Sequence, residues 1–139
     1  MNAPLYTTEI LRLAAALPEP RQLERVDGSA ARRSPTCGSS LLSEVQVKDG
    51  HVEALSQTVL ACAFGQASAA LVAQQAAGRS REDIATALDQ LTAWLSGERG
   101  DPPQWPGYEA LAPALQRTGR HGAILLPLRA LLGAMDSAV

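Results

Sequence analysis

Asp49-Gly50 constrains this chain more than any other pair of residues. Both positions tolerate a positive φ, so the pair favours a two-residue hairpin turn. Before it, Leu41, Leu42, Val45 and Val47 are interleaved with Ser43, Glu44, Gln46 and Lys48, and the alternation is clean from Glu44 onward. After it, Val52, Ala54 and Ser56 alternate with Glu53, Leu55 and Gln57, and Thr58-Val59-Leu60 continues the run. Such a hairpin folds the residues before Leu41 back beside those after Leu60. These two places hold the chain's two cysteines, Cys37 and Cys62. Residues 28–34 supply a third strand at the edge, because Pro35 limits further pairing. The stretch 21–26 reads equally as loop or strand.

Helical signals flank this sheet. Thr7 or Thr8 caps a first helix with Glu9 in its first turn, Ile10, Leu11, Leu13 and Leu17 as its apolar stripe, and Pro18-Glu19-Pro20 as its stop. Residues 66–77 are alanine-rich and form a second helix, with Gly78 just past its end. Ser80 and Asp83 resemble a capping box with a shorter acid. Ile84, Ala87, Leu88, Leu91, Trp94 and Leu95 then recur at helical spacing, and Gly97 closes that helix. A polar loop with three prolines covers 98–106, and its Trp105 is either a lid over the core or a contact residue. Residues 108–115 form a short helix interrupted near Pro113. The last helix, 124–135, accommodates Pro127 only if it starts near 122–124, so that the missing N–H falls in the unbonded first turn. His121 then stands at or just before that start. The expected architecture is α+β in one domain over 1–139: an N-terminal helix, a small three-stranded antiparallel sheet, then a helical half, with about five helices in all. No internal repeat, linker or low-complexity tail interrupts it.

Composition narrows the function. With 139 residues, 46% hydrophobic but 4% aromatic, the chain builds one core from Ala, Leu, Val and Ile. A net charge of −2 argues against the broad basic footprint of a nucleic-acid binder. No run of about 18 apolar residues is present to span a bilayer, and residues 1–8 lack the features of an export signal. A cytoplasmic protein is expected, whose cysteines serve as thiols or ligands rather than as a disulfide.

Neither cysteine has a C-x-x-C partner, which excludes a zinc ribbon or thioredoxin motif. The bland reading of each is a small buried apolar residue. Their settings favour chemistry instead. Cys37 lies between Pro35 and Gly38 on a bend at the sheet edge, and Cys62 lies at a strand-to-helix junction whose N–H groups favour an anion. His121 is a solvated or capping residue on the ordinary reading. With Gly122 and Ala123 leaving it room, its imidazole would otherwise complete a Cys–Cys–His set for zinc or iron. His51, beside the hairpin turn, reads as surface. Ser68 reads as a small residue packing a helix on the sheet, and Arg32-Arg33 as an exposed strand end suited to an acidic partner. A thiolate enzyme with His121 as base is disfavoured, since no acid is placed to orient the imidazole and neither a phosphate loop nor G-x-S-x-G is present.

The order S-P-T-C-G (Ser34 to Gly38), the D-G hairpin, A-C-A-F-G-Q-A-S-A-A around Cys62 and R-H-G-A-I-L-L-P opening the last helix resembles the U-type iron–sulfur cluster scaffold family, comprising NifU N-terminal-like, IscU and SufU proteins. The resemblance implies the same α+β fold and a scaffold rather than an enzyme. It implies that Cys37 and Cys62, with His121, hold iron or a [2Fe–2S] cluster, or zinc when cluster-free. Sulfur would come from a cysteine desulfurase, and recipient apo-proteins would take the cluster. The scaffold would be a monomer or a cluster-bridged homodimer, without nucleic acid or membrane as partner. Two departures stand out. Ser39 replaces the usual aspartate after C-G. The third cysteine is replaced by Gly122 on an H-C-S alignment, or by Ala123 on an R-x-x-C alignment in which Arg120 matches. A degenerate relative that binds no cluster and modulates a desulfurase or assembly factor is the alternative.

Overall fold

A computed structural model describes residues 6–35 and 38–138. Helix α1 (Thr8–Ala15) precedes strands β1 (Gly28–Arg33), β2 (Ser40–Lys48) and β3 (His51–Leu60). Helices α2 (Ala63–Gln75) and α3 (Arg81–Ser96), 3₁₀ segments Tyr108–Gln116 and Thr118–Arg120, and helix α4 (His121–Ser137) follow. The fold is α+β, in the order expected from the sequence.

The sheet is antiparallel with order β1-β2-β3. Asp49 (φ 53°) and Gly50 (φ 76°) make the turn that this residue pair favours. Leu41, Ser43 and Val45 point into the core, opposite Val59, Gln57 and Leu55. Strict alternation would turn Val52 outward with Ala54 and Ser56. A register shift at Gln46/Val47 instead pairs Val47 with Val52, so one extra β3 residue is absorbed and Val52 is buried as well. The stretch 21–26 is neither helix nor strand. It crosses the outer face, where the Arg21 N–H donates to Ser56 Oγ at 3.0 Å and Leu23 is buried.

The caps follow the sequence. Thr7 Oγ1 accepts the Ile10 N–H, and Ser80 and Asp83 form a reciprocal capping box. Gly97 ends α3 in the left-handed conformation. Three expectations need correction. Helix α2 starts at Ala63, with Cys62 as its N-cap, because Gly65 fits inside the first turn. Leu11 is half exposed, since α1 is only eight residues long and buries Ile10. Pro127 lies in the second turn of α4 rather than the first, because the helix begins at His121. There it removes the bond to the Ala123 carbonyl, while the next carbonyl, of Ile124, accepts Ser68 Oγ at 2.7 Å.

Helix α4 packs on β1 and β2 and against α2 and α3, and α1 packs on α2. Phe64, Leu71, Ile84, Leu91, Leu111, Ile124 and Leu131 make the main core, with Trp94 among them. Trp105 is a lid: it is buried, its Nε1–H donates to the Leu71 carbonyl at 2.8 Å, and the Arg79 guanidinium lies 4.8 Å from its ring. No helix among the described residues is long and apolar enough to cross a membrane.

Candidate functional site

Three segments meet at the end of the sheet away from the Asp49-Gly50 turn. The first is the β1–β2 connection. Arg33 pairs with Ser40, the Ser34 N–H donates to the Ser39 carbonyl at 2.8 Å, and the Gly38 N–H donates to the Ser34 carbonyl at 3.0 Å. Gly38 has φ 73°, as a tight bend requires. Thr36 and Cys37 lie outside the described residues. Their described flanks, Pro35 and Gly38, are exposed, whereas Ser34 and Ser39 are buried.

The second segment is the start of α2. Ser40 pairs with Leu60, so β3 ends beside the same connection and delivers Cys62 two residues later. Cys62 is a part-exposed free thiol at the N-cap, with extended backbone (φ −67°, ψ 174°) and no side-chain capping bond. Gln66 fixes this corner, its backbone N–H donating to the Cys62 carbonyl and its Nε2 to the Ala61 carbonyl, both at 2.9 Å.

The third is the first turn of α4. A Cβ added at Gly122 would fall 2.4 Å from Ser34 Oγ. One added at Gly65 would fall 2.6 Å from the Ala61 methyl and 3.3 Å from the Ala123 methyl. These two glycines let the first turn of α4 close against the β1–β2 connection on one side and α2 on the other. The space beside Gly122 is filled by Ser34, and Ala123 is fully buried. A side chain at 122 would have to displace the Ser34 hydroxyl, and one at 123 starts from a position closed to solvent.

His121 is the first residue of α4 and part exposed. Its Nε2 lies 2.9 Å from the Ala114 carbonyl. A carbonyl can only accept, so Nε2 carries a proton, and in the neutral ring Nδ1 keeps the lone pair. His51 is exposed at the opposite end of the sheet, its Nδ1 2.7 Å from the Asp49 carbonyl. Among the described residues, no group of three or more His, Cys, Asp or Glu side chains could hold a metal. Cys62 and His121 nevertheless offer soft sulfur and imidazole donors of the kind that suits zinc and iron.

Ser68 does more than pack. It is fully buried, with Oγ 2.7 Å from Tyr108 Oη and 2.7 Å from the Ile124 carbonyl. Its single proton goes to the carbonyl, so Tyr108 donates to Ser68. Burial raises the Tyr108 pKa above the ordinary phenol value, which keeps that donor protonated. The serine is visible in the sequence as a polar residue in an alanine-rich helix. Its partners, far along the chain, are not.

No family model matches the sequence, and no curated protein matches it. Solved structures do. An N-terminal NifU-like protein from Brucella abortus superposes with a TM-score of 0.89 at 26% identity, over 96% of this chain and 94% of that one. A putative iron–sulfur cluster assembly scaffold protein for the SUF system from Fervidobacterium islandicum AW-1 superposes with a TM-score of 0.78 at 16% identity, over 94% of this chain and 96% of that one.

Proposed function

We propose, for a chain with the fold of the U-type iron–sulfur cluster scaffold proteins, that it receives iron and sulfur to build a [2Fe–2S] cluster and pass it on. The scaffold comprises residues 1–139 as one domain. Cys37 and Cys62 are its sulfur acceptors and thiolate ligands, and His121 supplies an imidazole. Zinc takes the same donors when no cluster is present. The observation that carries this reading is the meeting of the β1–β2 connection, the N-cap of α2 and the first turn of α4 at one end of the sheet. The sulfur donor is a cysteine desulfurase and the recipients are apo-proteins, all in the cytoplasm. The protein relays sulfur and iron rather than turning over a substrate as an enzyme does.

One protomer provides three such donors, one short of the usual four for a [2Fe–2S] centre. A partner's cysteine, a small thiol or a second protomer supplies the remainder. Two protomers face to face would contribute four thiolates from Cys37 and Cys62 alone.

Anaerobic reconstitution with iron and sulfide tests the proposal. The expected product is coloured, with iron and sulfide in equal amounts, and the colour is lost in both Cys37→Ser and Cys62→Ser. A colourless wild-type protein overturns it, and a coloured protein that stays strictly monomeric removes the bridged dimer. The packing of Ser34 into the space beside Gly122 favours a second reading, an interaction module that modulates a desulfurase or assembly factor without a cluster. That reading predicts full partner binding by a variant lacking both thiols.

A further inference from the structure

We propose that Tyr108 and Ser68 are positioning residues for this site: with the Ala114 carbonyl they hold His121 as its Nε2–H tautomer and leave Nδ1 as the ligating atom. The inference rests on the reading of His121 as a ligand. It adds which atom binds and what aims it.

The argument begins at Ala114, which is fully buried and whose carbonyl accepts two bonds, from the Arg117 N–H at 2.8 Å and from His121 Nε2 at 2.9 Å. Both of its lone pairs are engaged, so the imidazole is held against a fixed acceptor. The acceptor is only as fixed as its own segment. Tyr108–Gln116 is a 3₁₀ run containing Pro113, an element with weak internal bonding whose place must be set from outside. Tyr108 sets it. The phenol is fully buried and donates to Ser68 Oγ at 2.7 Å.

Ser68 lies on α2, the helix capped by Cys62, and it donates to Ile124 in the first turn of α4, the helix opened by His121. One oxygen therefore ties together the helix behind the thiol, the helix behind the imidazole and the segment that orients that imidazole. Histidines that bind metals characteristically donate their second ring N–H to a carbonyl or carboxylate, which fixes the tautomer and the ring plane. Here that arrangement is built before any ion arrives.

The test uses the ¹⁵N-labelled full chain carrying His51→Gln, which leaves one imidazole. Long-range ¹H–¹⁵N spectra of the metal-free protein are expected to show a protonated Nε2 and a bare Nδ1. Addition of ¹¹³Cd²⁺ is expected to produce coupling to Nδ1. Tyr108→Phe keeps the ring in the core and leaves Ser68 bonded to Ile124. It should preserve the backbone spectrum, mix the two tautomers and weaken Cd²⁺ binding about tenfold, as loss of outer-shell partners does. A protonated Nδ1, coupling through Nε2, or a Tyr108→Phe protein with unchanged tautomer and affinity overturns the inference. Cd²⁺ held by the thiols without coupling to His121 also overturns it, while leaving the thiol scaffold intact. No Cd²⁺ uptake at all counts against the scaffold reading itself, and the ligand role fails with it. The tautomer is still decided by the metal-free spectrum. Should Tyr108→Phe fail to fold, the cadmium coupling in the Tyr108 protein still decides which atom binds.

Discussion

Gly122 carries two opposing effects at a single position. Alanine is the better helix former by about 1 kcal/mol. Its methyl, however, would stand 2.4 Å from Ser34 Oγ and 3.4 Å from Ser34 Cβ, and Ser34 is only 2% exposed. Overpacking a closed contact costs about 1–3 kcal/mol, so the clash outweighs the gain in helix propensity. Gly122→Ala should lower unfolding stability by about 1 kcal/mol in urea titrations, and Ser34→Gly in the same chain should restore it. A single variant more stable than the parent would show that the β1–β2 connection yields freely. In sequence, Gly122 reads as open room for the neighbouring histidine. The room is taken by a residue from the other half of the chain, and the Nε2 of His121 is held by the Ala114 carbonyl.

Helix α3 shows an element whose limits are written locally. Ser80 Oγ accepts the Asp83 N–H at 3.1 Å, and Asp83 Oδ2 accepts the Ser80 N–H at 3.0 Å. Ser80→Ala should cost about 1 kcal/mol at pH 7. The bond from the Ser80 backbone holds the Asp83 carboxyl below its ordinary pKa. A group whose folded pKa is depressed stabilises the fold above its unfolded value and loses that effect as pH falls through the folded one. Urea titrations of wild type and Asp83→Asn should therefore differ at neutral pH and converge on acidification below about pH 4. A constant gap would mean that the carboxylate does not cap. Helices α2 and α4 are less legible because their starts depend on neighbours. Cys62 becomes an N-cap only because Gly65 permits the close pass by Ala61 and Ala123. Pro127 is borne one turn deeper than local rules allow, in a helix packed against α2, α3 and the sheet.

Across the whole molecule the charge is uneven. Residues 31–42, 58–68 and 117–127, the segments that meet at the site, contain four arginines and no carboxylate, leaving eight basic against fourteen acidic side chains elsewhere. Arg32 folds back over Gly133, while Arg33, at the same strand end, is exposed. Beside them on the outer sheet face stand Leu42, 37% exposed, and Leu60, 72% exposed. Such a rim suits a partner with carboxylates around an apolar contact. Association with the desulfurase proposed as partner should weaken as salt rises from about 0.05 to 0.5 M, the range over which exposed charges become screened. Arg33→Glu should slow association, and Leu60→Ser should speed dissociation, both readable by biolayer interferometry. Binding indifferent to salt and to both changes would place the contact elsewhere. The sequence by itself determined the sheet hairpin, the cap of α3 and the α+β order, because turn φ preferences, capping and periodicity act over a few residues. Only the tertiary structure decided that Ser34 fills the space beside Gly122, that Ala114 holds His121, and that Ser68 joins Tyr108 to Ile124. Those contacts span distant parts of the chain, and side-chain type alone does not say which of many possible partners will arrive.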